Sequence, residues 1–257
     1  MKKSQKEWQK SFNKIEQHIS WQERPRPRIY WQDLDKEVNT LTRAESLEEE
    51  EPEVIIITTE PKKISEEDLY PILIEFLKSE LGLYCQRIDD KCSRNTQGNA
   101  GNQWLHPDIV ALELVDEHWD QLIQNRLKQG AGARIRLWSF EVKKELNVSN
   151  VRKSFFQTLS NSSWANEGYL VTTYIADSMV EQELRMLSAV HGIGVILLTP
   201  DNPSESKILL PAKANLEVDW RSVNRLLVEN VDFKNYIELV SISYQTSKIR
   251  PQEWNTI

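Results

Sequence analysis

Asp108, Glu141 and Lys143 are the residues whose types and spacing could do chemistry. Asp108 opens a run rich in Ile, Val and Leu. Glu141 and Lys143 sit two apart near the end of an alternating run, so strand periodicity turns them to the same face. Two carboxylates would hold a hard divalent cation, magnesium with manganese as a substitute, and the backbone carbonyl of Val142 would complete the protein's share of ligands. A cation so held acidifies its bound water and neutralises charge developing on a phosphate oxygen, while a neighbouring ammonium orients the nucleophile or stabilises the transition state. That is equipment for phosphodiester hydrolysis. By spacing alone the set is weakly specific, because strand ends often carry solvated Glu and Lys.

Other catalytic patterns have no support. No G-x-S-x-G, Cys/His pair or kinase motif is present. Gly192-Ile-Gly194 reads as a helix stop followed by a strand start, without the lysine of a phosphate loop. Cys85 and Cys92, separated by six residues, and four scattered histidines make neither a disulfide scaffold nor a zinc pattern. His106, just before a proline, reads as a turn residue, and His118 among acids reads as solvated surface.

The elements that must position these groups follow from periodicity and punctuation. Ser65 caps a helix with Glu66, Glu67 and Asp68 in its first turn, running to about Leu81 and stopping at Gly82. Leu69, Ile72, Leu73, Phe76 and Leu77 form its expected buried face, and Glu75 falls near the edge of that face. Strands are expected at 84–88, from about Asp108 to Val115, at 134–143, 168–174 and 194–198. In the third, Ile135, Leu137, Ser139, Glu141 and Lys143 face one way and Arg136, Trp138, Phe140 and Val142 the other. Helices are expected at 151–163 and 178–191, a weakly apolar one within 116–130, and one or two closing helices between 219 and 240. The order describes an α/β sandwich with a mixed sheet.

The first 62 residues read as an N-terminal arm, and residues 63–257 as the domain that carries the chemistry. Trp8, Phe12, Ile15 and Ile19 make one apolar stripe of a short helix over residues 5–20, either packed on its own domain or docking a partner protein. A Pro/Arg segment and an acidic linker follow, within which Val54-Ile-Ile-Ile57 could form a short strand. The net charge of −7 is concentrated: residues 44–68 hold ten acids and two lysines, so the rest of the chain stands near +1 and a nucleic-acid groove is not excluded. No apolar run approaches the ~18–20 residues of a membrane span and no signal peptide is evident, which points to the cytoplasm.

In context the sequence resembles the PD-(D/E)XK nuclease superfamily, through Pro107-Asp108 at a strand start and Glu141-Val-Lys143 inside Leu137 to Leu146. More narrowly it is similar to the HrgA-type restriction-endonuclease-like group. That resemblance rests on Leu69-Tyr-Pro71, His106-Pro-Asp108, Glu141-Val-Lys-Lys-Glu145 and the long run from Phe155 to Val171. It extends through Gly192-Ile-Gly194, Leu210-Pro-Ala212 and Asp219-Trp220, covering roughly residues 64–240. It implies a restriction-endonuclease-like core, a four-stranded mixed β-sheet flanked by α-helices, behind a mostly helical or extended N-terminal arm. Asp108 and Glu141 would be metal ligands, Lys143 the catalytic lysine, Glu75 an auxiliary acid, and Gln157 the holder of a phosphate or of the attacking water. Asn161, Ser163 and Trp164 would line the same region, although Asn and Ser also cap helix ends and Trp is a common core residue.

The activity implied is a magnesium-dependent endonuclease on DNA, the effector of a restriction or anti-phage defence system. The other reading is a nuclease-fold subunit that binds nucleic acid or a partner protein without cutting. Relatives often carry an N-terminal winged helix, and residues 1–62 are too short, and too acidic at their end, to be one. Sequence recognition is therefore expected from a partner, and cutting both strands favours a homo-oligomer.

Overall fold

A computed structural model of the chain describes residues 64–94, 104–114, 119–128, 135–246 and 249–254. The expected helix over 5–20, the acidic linker, the boundary near 62 and His118 lie outside these residues. Helix α1 (Glu66–Leu81) begins with a reciprocal capping box: Asp68 N–H donates to Ser65 Oγ, and Ser65 N–H to Asp68 Oδ2. It stops at Gly82, whose φ of 66° is the left-handed conformation that glycine adopts without a Cβ penalty.

Strands β1 (Tyr84–Arg87), β2 (Ile109–Leu114) and β3 (Ile135–Leu146) form an antiparallel meander, with helix α2 (Gln121–Lys128) between the last two. Helix α3 (Val151–Ser162) then returns the chain to β4 (Glu167–Ile175), and α4 (Ser178–His191) to β5 (Gly194–Leu197); both strands run parallel to β3. Strand β6 (Lys207–Leu210) turns back antiparallel to β5, and α5 (Trp220–Glu229) and α6 (Val231–Thr246) follow. The sheet order is β1-β2-β3-β4-β5-β6. The mixed α/β character agrees with expectation, but the sheet has six strands instead of four. β1 widens one edge of the implied core, and β6, at four residues too short to display an alternation, closes the other.

Residue alternation divides the core cleanly. Ile109, Ala111, Trp138, Phe140, Val142, Tyr169, Val171 and Ile196 pack under α1, with the rings of Trp138 and Tyr169 stacked 5.4 Å apart. Val110, Leu112 and Leu137 face α5 and α6, while Leu170 and Val195 face α3 and α4. Trp164 sits fully buried between these last layers, edge-on to Phe233 at 5.1 Å, and is a core residue. Among the described residues no helix is long and apolar enough to cross a membrane.

Close approach explains one glycine of the Gly192-Ile-Gly194 turn. A Cβ on Gly194 would overlap the Tyr169 ring and lie 2.7 Å from the Ala212 amide nitrogen. Gly194→Ala is expected to cost about 1–3 kcal/mol through overpacking, read as a lower denaturant midpoint with an unchanged slope.

Candidate active site

The site forms where β2 parts from β3. Asp108 makes the last ladder contacts: its N–H donates to the Phe140 carbonyl (3.1 Å), and its own carbonyl accepts from Ile88 N–H (2.9 Å). One step further its side chain stands in for the missing strand, with Oδ2 accepting from Val142 N–H at 2.7 Å. A strand residue turns its N–H and C=O to the same side. The Val142 carbonyl therefore faces the side from which Asp108 approaches, as a third oxygen beside two carboxylates.

Glu141 is 1% exposed, and its carboxylate is held from three directions. Lys143 Nζ donates to Oε1 at 2.9 Å, Gln157 Nε2 donates to the same oxygen, and Asn161 Nδ2 donates to Oε2 at 2.9 Å. Gln157 and Asn161 are four apart on α3, hence on one helical face, and both are buried against β3. The helix can carry these polar residues inward because Trp164 closes its end: the indole N–H donates to the Asn161 carbonyl at 2.8 Å, capping a carbonyl that the helix leaves unpaired.

Burial governs the electrostatics. It lifts the pKa of Glu141, the Asp108 charge lifts it further, and Lys143 and Asn161 oppose the rise without cancelling it. Asp108 is likewise raised by burial, against the pull of Lys143 and the Val142 amide. Burial disfavours the Lys143 ammonium, but Glu141, Asp108 and Glu66 outweigh it and hold its pKa above the ordinary lysine value. Two buried carboxylates, one of them lifted further by the other's charge, with one ammonium acting on both, make a place where added positive charge is stabilising.

Two expected residues are not brought to this cluster. Glu75 is exposed. The buried face of α1 comprises Leu69, Tyr70, Leu73, Ile74, Phe76 and Leu77, rotated by roughly 50° from the expected one at ~100° per residue, and this leaves Glu75 on the outer side. The same rotation points Glu66 inward, where Oε2 lies 3.8 Å from Lys143 Nζ and Oε1 accepts from Lys144 N–H at 3.4 Å. Glu66, not Glu75, is the acid that α1 contributes. Ser163 is exposed, its hydroxyl donating to the Ser160 carbonyl at the end of α3; its neighbour Ser162 is the buried one, bonded to Thr158 and Ser139. His106 is buried in the loop before Asp108, 2.9 Å from Ser93 Oγ, and its charge acts to lower the Asp108 pKa. Sequence reading also missed Tyr70, which packs against Arg87 at 4.9 Å and faces Asp108. Its place in the Leu69-Tyr-Pro71 motif was the available signal.

No family model matches the sequence, and no curated protein does. Among solved structures, the SPO1766 protein of unknown function from Silicibacter pomeroyi aligns over 74% of this chain and 95% of its own, at 11% identity and a TM-score of 0.35.

The raised carboxyl values carry a sign that stability measurements can check. A carboxyl whose pKa is higher folded than unfolded stabilises the fold when protonated, and that contribution is lost as pH rises through and above the ordinary glutamate range. In EDTA, the denaturant midpoint of the wild type is expected to fall between about pH 5 and about pH 8, and Glu141→Gln to flatten that fall. An equal slope in both proteins would remove Glu141 as its source.

Proposed function

We propose that this chain is a magnesium-dependent endonuclease hydrolysing phosphodiester bonds in DNA, the effector of a restriction or anti-phage defence system. The observation that carries this reading is the Lys143 ammonium 2.9 Å from Glu141 Oε1, where the Asp108 carboxylate closes on β3 at Val142. Among the described residues no three His, Cys, Asp or Glu side chains gather as a metal group, so the protein's offer is two carboxylates and one carbonyl. This all-oxygen set suits magnesium, which keeps several waters, and manganese in its place; it does not suit zinc. Bound by Asp108, Glu141 and the Val142 carbonyl, the cation would supply an acidified water and neutralise charge on the scissile phosphate.

The chain's own groups divide the remaining work. Lys143, held charged by three carboxylates, is not a general base; its ammonium donates to the phosphate oxygen or to the attacking water. Gln157 and Asn161 fix the Glu141 carboxylate so that it need not reorganise as charge develops. Glu66 restrains Lys143 from the far side. Cutting both strands of a duplex would take two copies of the chain or a larger assembly.

One observation favours the second reading, a subunit that binds nucleic acid or a partner without cutting. Both Glu141 oxygens already accept protein donors, as in a structural ion network. Cleavage of supercoiled plasmid and of single-stranded DNA separates the two. The wild type is expected to cut with magnesium or manganese and not in EDTA. Asp108→Ala and Glu141→Ala should abolish cutting, and Lys143→Ala should slow it by about 10²- to 10³-fold. Any of these variants cutting at the wild-type rate refutes the assignment, and DNA binding without metal-dependent cutting establishes the second reading.

A further inference from the structure

Helix α1 reaches the site twice from one face. Glu66 lies 3.8 Å from Lys143 Nζ and accepts from Lys144 N–H. Tyr70, four residues on and therefore beside Glu66 on the helix surface, donates its hydroxyl to the Asp108 carboxylate. The Tyr70 ring is 8% exposed and belongs to the apolar cluster under α1. Packing alone would be met by phenylalanine. A buried phenol hydroxyl needs a partner as well, and here that partner is an acid at the start of a strand.

The ring is itself held from the sheet. The Arg87 guanidinium carbon lies 4.9 Å from the Tyr70 ring centroid, within cation–π range. Arg87 is the last residue of β1 and pairs with Ile109, the residue after Asp108. Its Nη2 is also 3.7 Å from Glu67 Oε1, three residues before Tyr70. The turn of α1 that carries Tyr70 is thus tied to the strand beside Asp108. Burial raises the Tyr70 pKa, the Asp108 and Glu66 charges raise it further, and Arg87 opposes them, so the hydroxyl keeps its proton and remains a donor.

We propose that Tyr70 is a positioning residue for Asp108, fixing the carboxylate in the orientation in which it meets a divalent cation. The Val142 amide holds Asp108 through Oδ2 at 2.7 Å. A carboxylate held by one donor at one oxygen can still pivot about that contact. A second donor, brought by a different element, sets its plane. The inference rests on the reading of Asp108 as a metal ligand. Hydrogen bonds to ligating carboxylates orient them, and losing such a partner costs about 10- to 100-fold in metal affinity.

Binding of Mn2+ alone to the full-length chain, read without DNA by calorimetry or by the paramagnetic resonance of the free ion, tests this at one pH. Tyr70→Phe keeps the ring and is expected to bind Mn2+ about 10- to 100-fold more weakly than the wild type. Tyr236→Phe is the control for a structural role: it deletes another fully buried hydroxyl, bonded to the Ala111 carbonyl at 2.9 Å, and is expected to lower the denaturant midpoint with the Mn2+ affinity unchanged. Asp108→Ala separates the inference from the reading beneath it. If Asp108→Ala loses Mn2+ and Tyr70→Phe binds it as tightly as the wild type, the positioning role is overturned and the metal site stands. If Tyr236→Phe loses as much affinity as Tyr70→Phe, general loosening is the cause and the positioning role is again overturned. If Asp108→Ala binds as tightly as the wild type, the metal site falls and the role of Tyr70 falls with it.

Discussion

Everything around the site depends on keeping the Glu141 carboxylate out of water. A lone buried charge of this kind is too costly to keep, and it survives only when its lone pairs are filled and a counter-charge is near. Lys143 provides the charge, and Gln157 and Asn161 provide directed amides from the buried face of α3. The sequence of α3 is a compromise between these demands. Phe155 and Leu159 pack toward the α4 side, while Gln157 and Asn161 turn to β3. The surrounding close-packed wall removes water, which strengthens each polar contact within it and penalises any that is left unmade.

The second constraint is where β2 stops. Were β2 one residue longer at its start, a backbone carbonyl would take the Val142 amide and the strand would seal the β3 edge. The Asp108 side chain makes that bond instead, so the sheet ends in a carboxylate and not in a carbonyl. Charge is thereby delivered to the rim of a hydrogen-bonded framework, on backbone that the Phe140 and Ile88 bonds already fix. Precision at the site comes from sheet geometry, with no reliance on a loop to hold the two acids together.

Much of this was legible in the chain. The two-residue period of β3 assigned Trp138, Phe140 and Val142 to one face and Leu137, Ser139 and Glu141 to the other, and the structure keeps that division. The approach of Asp108 to Glu141 and Lys143 is long-range, yet strand ends are few and their chemistry stands out. Helix α1 was harder. Its periodicity marked an apolar face, but the rotation of that face depends on Tyr70 and Ile74 burying in place of Ile72, a packing outcome with no one-dimensional signal. An error of half a helical quadrant exchanged Glu75 for Glu66. Acids in a first turn also have an ordinary explanation in the helix dipole, and that explanation hid the contact of Glu66 with Lys143. Ser162 and Ser163 show the same limit at a helix end, where one position decides between core and solvent.

The indole N–H of Trp164 joins the carboxylate pocket to a part of the chain made much later. Its ring is seated by Phe233 and Tyr236, Tyr236 packs against Trp254, and Trp254 packs back on Tyr84 in the first strand. During synthesis the residues from Asp108 to Asn161 leave the ribosome well before this aromatic chain can close, since domains gain their packing only as complete units. A nascent chain therefore carries all the acidic and basic groups of the site without the wall that orders them. The aromatic wall behind the pocket is complete only when the C-terminal helices have emerged.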